Sequence, residues 1–205
     1  MKKIFNYIVA ASLVLTAASC SDFLEEQVPQ GTLDENQVKD PALVENTIIS
    51  AYAGFTQGED INGSFSMWNF DVRSDDAYKG GSSVNDGDVF HQLEVQKGVL
   101  TTNWNISDMW NRLYITISRV NSAISVLEKC DGSYALKEQR MAEMKFLRAY
   151  SHFLLKRLYK NIPFILNANL TYEEYGLLSN TEYSNDEGWA AIAKELEEAY
   201  EVLPV

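Results

Sequence analysis

Long amphipathic helices are the sequence feature that most constrains the fold of this chain. Four segments carry apolar residues at intervals of three and four, which places those residues on one face of a helix. These segments begin near Asp40, Ser107, Leu136 and Ser184. Amphipathic helices of this length need partners against which to bury their apolar faces. The sequence therefore predicts an all-α protein built from antiparallel helix pairs.

Start and stop signals bound these helices. Asp40 suits the N-cap of the first helix and Pro41 its first position. Pro163 disfavours helical geometry in the residue before it and should end the third helix near Tyr159. Ser184 lies three residues before a glutamate, the spacing of a capping box, and Pro204 should end the fourth helix.

The third helix has a predicted inner and outer side. The residues expected to point inward are Phe146, Leu147, Tyr150, Phe153 and Leu154. The residues expected on or near the more solvated side are Glu138, Lys145, Arg148 and Lys156.

Two helices begin with the pattern W-x-x-[LI], at Trp110 and Trp189. This pattern opens the tetratricopeptide repeat, a two-helix unit of about 34 residues. The two copies lie too far apart for a regular array of that length. We therefore expect tetratricopeptide-like helix pairs, with a long irregular loop segment between the first helix and the second.

That loop segment runs from residue 58 to residue 106 and contains several glycines. A short helix is predicted around Trp68 and a short strand from Val89 to Val95. Loops longer than about 12–15 residues are uncommon and are usually functional or disordered. This segment is too aromatic for simple disorder, so we expect it to be functional.

Polar and aromatic residues in the loop segment suggest a sugar-binding site. Sugars have hydroxyl groups around their edges and apolar C–H groups on their ring faces. Short acids and amides can bond the hydroxyls, and aromatic rings can cover the faces. The candidate ligand-binding residues are Asp75, Asp76, Tyr78, Asn85 and Trp104. The alternative is that the aromatic residues belong to the core and the acids cap turns.

Catalytic and metal sites are not expected. His91 and His152 are isolated, and no metal-ligand spacing, nucleophile elbow or phosphate loop occurs. His152 is expected to be a packing residue. Asp75 and Asp76 are adjacent and should point apart, whereas a glycosidase needs two facing carboxyl groups. The formal net charge of −12 disfavours nucleic acid as a partner. We predict no catalytic residue, no metal and no cofactor.

The N-terminus has the layout of a lipoprotein signal. Lys2 and Lys3 precede an apolar stretch that is too short to span a bilayer, and small residues then lead to Cys20. This resembles the bacterial lipobox, in which the cysteine is lipidated and cleavage precedes it. We therefore predict a signal peptide at residues 1–19, lipidation of Cys20 and a flexible acidic tether over residues 20–39.

Four strings in order resemble one known family. They are S-D-D-A at 74–77, W-N-R-L-Y-I-T-I-S-R-V-N at 110–121 and A-E-M-K-F-L-R-A-Y-S-H-F at 142–153, followed by N-I-P-F-I at 161–165. The chain resembles the N-terminal part of the SusD/RagB family of outer-membrane nutrient-binding lipoproteins. The resemblance implies that residues 40–205 form a helical domain of a longer protein. Within these strings, Arg148 and Glu143 are expected to be structural polar partners.

The resemblance implies a surface-exposed protein of the outer membrane, held there by its lipid. Members bind glycans, or in some cases peptides, without chemistry and deliver them to a SusC-like TonB-dependent transporter. Two alternatives remain open from the residues alone: a periplasm-facing helical-repeat adaptor that binds protein or peptide partners, and an enzyme acting on glycans.

Overall fold

The fold is all-α, as predicted. A computed structural model describes residues 40–56, 66–130 and 132–204, and within these ranges it contains helices and no strand. The α-helices and one π-helix are, in order, α1 (Pro41–Ala53), the π-helix (Met67–Asp71), α2 (Asp88–Glu94), α3 (Trp104–Lys129), α4 (Lys137–Tyr159), α5 (Tyr172–Leu177) and α6 (Asn185–Tyr200). The predicted signal peptide, Cys20 and the whole of the predicted tether lie outside the described residues.

Helices α3 and α4 form an antiparallel pair. The Tyr159 hydroxyl donates to the Ile106 carbonyl at 2.6 Å, so the end of α4 lies beside the start of α3. At the other end, Lys137 donates to the Cys130 carbonyl at 3.1 Å across the short connection. Fully buried residues from both helices fill the interface: Met109, Leu113, Ile117, Leu127, Met144 and Leu155. Their burial removes apolar surface from water and stabilises the pair.

Helix α6 continues the pattern on the other side of α4. Lys145 pairs with Glu198 at 2.6 Å near the end of α6. Phe153 meets Trp189 near its start, with ring centroids 5.9 Å apart. The two helices are therefore antiparallel. The predicted capping box at the start of α6 is confirmed, since Ser184 and Glu187 each bond the other's backbone.

Helix α1 packs on α3 and approaches it closely at one glycine. The Thr116 hydroxyl donates to the Gly54 carbonyl at 3.2 Å. A Cβ atom at Gly54 would lie 2.6 Å from the Thr116 oxygen, so this contact has no room for a larger residue. The start of α1 is held to α4 by Glu45 and Arg140, at 3.1 Å. The long helices thus stack as successive antiparallel neighbours.

The predicted inner and outer sides of α4 need correction. Arg148 and Lys156 are 6% and 5% exposed, although they were expected on the solvated side. Phe146 was expected inward and is 43% exposed. The reason is that α4 contacts α1, α3 and α6, so no single stripe of its surface defines the interior. Burial of Arg148 is possible because α6 supplies Glu195 as its partner.

The predicted strand from Val89 to Val95 is wrong, because this segment forms α2. A lone strand would leave its backbone donors unpaired, whereas a helix satisfies them internally. The Phe90 and His91 amides both donate to the Gly87 carbonyl, and Gly87 has a φ of 77° that suits glycine. Only Leu93 of α2 is buried, which fits a short helix lying on the surface.

Two helix boundaries also differ from prediction. Helix α3 begins at Trp104 and not at Ser107, because the Asn103 side chain caps it by accepting from the Asn105 amide. Helix α6 ends at Tyr200, before Pro204.

His152 is a buried packing residue, as predicted. Its ring stacks on Phe164, with centroids 5.0 Å apart, and its Nε2 accepts from the Ile165 amide at 3.2 Å. Burial, together with the nearby charge of Arg148, lowers the pKa of His152 to about 3. The imidazole is therefore neutral, and it joins the chain after α4 to the core.

Candidate ligand-binding surface

A buried asparagine joins the loop segment to α3. Asn103 is 2% exposed, and its Oδ1 accepts from the Asn105 amide at 3.2 Å. Its Nδ2 donates to the Val89 carbonyl of α2 at 3.1 Å. Because α3 belongs to the core, this one side chain fixes α2 against a rigid element.

Three aromatic residues then pack together, one from each element of this region. The Trp68 ring of the π-helix stacks on Phe90 of α2, with centroids 3.9 Å apart and an interplanar angle of 18°. Phe90 in turn meets Trp104 of α3 edge to face, with centroids 5.5 Å apart and planes at 80°. We call Trp68, Phe90 and Trp104 the aromatic cluster. Trp104 is 44% exposed, so part of its indole ring faces solvent while Phe90 packs against the ring and restrains it.

The loop before α2 folds around its own lysine. The Lys79 ammonium donates to the carbonyls of Gly80, Ser83 and Asp86, at 2.9, 2.9 and 2.6 Å. The Asp86 carboxylate accepts from the Ser82 amide at 3.0 Å and closes the loop from the other side. All three ammonium donors of Lys79 are thus engaged within the loop.

The candidate acids and amides from the sequence lie on the surface. Asp75 and Asn85 are exposed. The Asp76 amide donates to the Ser74 hydroxyl at 3.1 Å, and that hydroxyl lies 3.2 Å from the Asp76 carboxylate. Asp76 therefore takes part in this turn through its backbone amide, which the Ser74 side chain caps, and its carboxylate lies on the surface.

The candidate aromatics are also exposed. Tyr78 is 88% exposed and Trp104 belongs to the aromatic cluster. Within the described residues no hydrogen bond or ring contact joins Trp104 to Tyr78 or to the candidate acids. The structure therefore places these residues in one segment but does not bring them into one contact set.

A polar cavity beside the π-helix was missed by sequence reasoning. It has a volume of about 250 Å³ and is lined by Asn69, Phe70, Arg73, Ser74, Gln96, Arg157 and Leu158. We call it the arginine pocket. Arg73 and Arg157 lie far apart in sequence, and neither falls in a recognisable motif for ligand binding. Only the packing of α4 beside the π-helix shows that they share a cavity.

A second cavity lies on the core helices and is apolar. It has a volume of about 600 Å³ and is lined by Phe146, Leu196, Glu197, Tyr200, Glu201, Leu203 and Pro204. No residue of the loop segment lines it, and it has few polar groups with which to orient a sugar.

Metal chemistry finds no support in the described part of the chain. It contains no group of three or more histidine, cysteine, aspartate or glutamate side chains placed to hold a metal ion. His91 lies 3.3 Å from the Glu94 carboxylate, and His152 is buried in the core. None of the described helices is both long enough and apolar enough to cross a membrane.

Comparison with known proteins identifies the family. A family model for SusD-like proteins, described as starch-binding and associating with the outer membrane, matches residues 22–205. The chain belongs to the SusD-like family. A SusD-like protein of Formosa agariphila is 26% identical over 187 residues, which is 88% of this chain and 34% of the relative. The chain thus spans about a third of the length of that curated relative.

Three of the four strings that resemble the SusD-like family contact one another in the structure. The Tyr114 hydroxyl donates to the Pro163 carbonyl at 2.8 Å, and Asn121 donates to the Ile165 carbonyl at 3.1 Å. Both bonds join the α3 string to the N-I-P-F-I string. Arg148 of the α4 string donates to Asn121 at 2.7 Å. The three strings therefore form one structural unit of the SusD-like fold.

The two expected polar partners have structural roles, but not with each other. Arg148 pairs with Glu195 of α6. Glu143 pairs with Arg140, one turn earlier on α4, at 2.8 Å. Neither lies in the loop segment, so neither belongs to the candidate ligand-binding surface.

Proposed function

We propose that this chain is the glycan-binding part of a surface-exposed outer-membrane lipoprotein that delivers oligosaccharides to a SusC-like TonB-dependent transporter. The observation that carries the proposal is the Trp104 ring at the start of α3. This ring is half-exposed to solvent and packs edge to face against Phe90 of α2. The family description, starch-binding and associating with the outer membrane, supports the same ligand class and location.

The chemistry of the surface fits a sugar. A sugar ring can lay its C–H face on Trp104 or on the exposed Tyr78, while its hydroxyl groups meet Asp75 or Asn85. A binding protein that hands its ligand to a transporter needs no catalytic group, and we propose none in this chain.

Binding of neutral glycans tests this proposal. We expect malto-oligosaccharides or another soluble glycan from a mixed panel to bind the wild-type chain in calorimetry or affinity electrophoresis. Trp104→Ala should lower the affinity by about tenfold, since an aromatic contact and its buried area contribute about 1–2 kcal/mol. Tyr78→Ala should lower it less, because Tyr78 has no ring partner in the described part of the chain.

Matched variants separate binding from folding. Trp189→Ala removes a tryptophan of α6 and Tyr172→Ala removes a tyrosine that is 94% exposed on α5. Both should keep the wild-type affinity. Equal affinity of Trp104→Ala and wild type would contradict the proposal, and so would cleavage products after long incubation.

The anchor and the location form the second part of the proposal. We propose that Cys20 carries the lipid and that residues 20–39 form the tether, which keeps the binding domain at the membrane and still lets it move. In cells fed a palmitate analogue, the wild-type protein should be labelled and Cys20→Ser should not. Added protease should cleave the labelled protein in intact cells, and a TonB-dependent transporter should copurify with it. Full protection from protease would instead favour the periplasm-facing adaptor.

A further inference from the structure

The arginine pocket gathers positive charge on a strongly acidic protein. Arg73 and Arg157 line it together with Asn69, Ser74 and Gln96, and no carboxylate is among the lining residues. The whole chain has a formal net charge of −12. Two guanidinium groups that share a cavity repel each other, and an anion placed between them would remove that repulsion.

Neither guanidinium is neutralised by an acid in the described part of the chain. Arg140 and Arg148 pair with glutamates there, but the ion pairs of the described residues include neither Arg73 nor Arg157. Arg157 instead lies over aromatic rings, with its Cζ 4.2 Å from the Phe70 centroid and 5.3 Å from that of Phe153. Such stacking orients the planar guanidinium and leaves its N–H donors at the edge for a ligand.

The wall of the pocket that carries Arg73 is held in place by a strained residue. Gln96 has a φ of 51°, which is uncommon for a residue other than glycine. Its side chain donates to the Arg73 carbonyl at 2.8 Å. The Ser74 hydroxyl donates to the Asp71 carbonyl at 2.7 Å and fixes the same turn. A strained residue persists where surrounding contacts determine its conformation, so these bonds indicate a pre-formed wall.

We propose that the arginine pocket binds the carboxylate or sulfate group of an acidic oligosaccharide. Both groups present oxygen atoms that a guanidinium fork can bond in pairs. The volume of about 250 Å³ is smaller than that of most whole-ligand sites, so the pocket accommodates one charged substituent and part of its sugar ring. The negative charge of the chain disfavours long polyanions, and the ligand is therefore a short glycan.

The pocket and the aromatic cluster share the π-helix. Trp68 belongs to the cluster and Phe70, two residues later, lines the pocket. One glycan can therefore place a sugar ring on the cluster and its anionic group between the arginines. This inference rests on the proposed glycan-binding function and deepens it, because it names the substrate class.

Four probes test the inference: an oligogalacturonate, a sulfated oligosaccharide, a neutral malto-oligosaccharide of similar length, and inorganic sulfate. The variants are Arg73→Gln/Arg157→Gln, Trp104→Ala and, as a control for the removal of positive charge elsewhere on the surface, Lys194→Gln on α6. The Lys194 side chain is 77% exposed. Circular dichroism would confirm that each variant keeps its helical content.

The expected result is selective. Wild type should bind an acidic probe more tightly than the neutral one, and added salt should weaken only the acidic binding. The double arginine variant should lose about tenfold or more in affinity for the acidic probe, as expected for two charge-assisted contacts, and keep its affinity for the neutral one. Trp104→Ala should weaken both, and Lys194→Gln neither. The preferred acidic probe, carboxylate or sulfate, identifies the anionic group.

Other outcomes separate this inference from the proposed function. Binding of the neutral probe without preference for an acidic one would overturn the inference and leave the proposed function standing. Equal losses for acidic and neutral probes in the double variant would also overturn it, since the arginines would then be structural. Binding of inorganic sulfate that requires both arginines, without binding of any oligosaccharide, would support the pocket and overturn the glycan function. Failure to bind any probe would overturn both.

Discussion

Replacing Glu195 with alanine should lower the free energy of unfolding by about 3–5 kcal/mol. Glu195 is 8% exposed and accepts bonds from the Arg148 guanidinium, whose side chain is itself buried. Removing the carboxylate leaves a positive charge in the interior, and among the described residues only the Asn121 oxygen then bonds it. An uncompensated buried charge costs far more than the ion pair contributed. Urea denaturation followed by circular dichroism measures the change.

Glu198→Ala is the matched control for this prediction. Glu198 lies one turn later on α6 and also pairs with a basic residue of α4, Lys145. The side chains of that pair are 32% and 40% exposed, so water and salt screen the interaction. Its loss should cost about 0–1 kcal/mol. A similar cost for Glu195→Ala would contradict the view that burial makes the Arg148 pair important.

The fold could be predicted from the sequence where local signals and apolar periodicity agreed. Asp40 accepts from the Ala42 amide as the N-cap of α1, and the box at Ser184 forms as its spacing indicated. These features depend on residues within one helical turn, which a sequence displays directly. The apolar stripe of α3 was also visible, because α3 has one dominant buried face.

The fold could not be predicted where the surroundings of a segment decide its state. The strand predicted from Val89 to Val95 is instead a helix, and the described part of the chain contains no strand that could pair with it. The burial of Arg148 depends on Glu195, which lies 47 residues further along the chain. A basic residue on a predicted helix is assigned to solvent unless its distant acidic partner is known.

The candidate site was predicted in part. The loop segment was recognised by its glycines and aromatic residues, and Trp104 lies in the aromatic cluster. At the turn of Ser74 the Asp76 backbone amide bonds the serine hydroxyl, and the Asp76 carboxylate lies on the surface. Arg73 and Arg157 were not singled out, because they share a cavity only after α4 packs beside the π-helix. Residues from distant segments come together only in the tertiary structure, so the chemistry of each residue taken alone does not show that they share a site.

Acid should destabilise the protein through His152, well before most carboxylates titrate. Burial first, and the charge of Arg148 second, lower the pKa of His152 to about 3, whereas an unfolded histidine titrates near pH 6.5. Between these values the unfolded chain binds a proton that the folded chain does not. The contribution of His152 to the free energy of unfolding is therefore fully present above about pH 6.5. It falls by about 1.4 kcal/mol per pH unit as the pH is lowered toward 3.

The variant His152→Gln isolates this contribution. Glutamine is neutral throughout this pH range, and its side-chain oxygen can accept the bond from the Ile165 amide. From about pH 7.5 to about pH 5, wild type should lose about 2 kcal/mol more stability than His152→Gln does. Any constant cost of the substitution cancels, because the comparison uses the slopes of stability against pH. His91→Gln, at the other histidine of the chain, is the matched control and should retain the contribution of His152. Parallel slopes for wild type and His152→Gln would mean that the imidazole is protonated in the folded state, which its burial against Arg148 and Phe164 opposes.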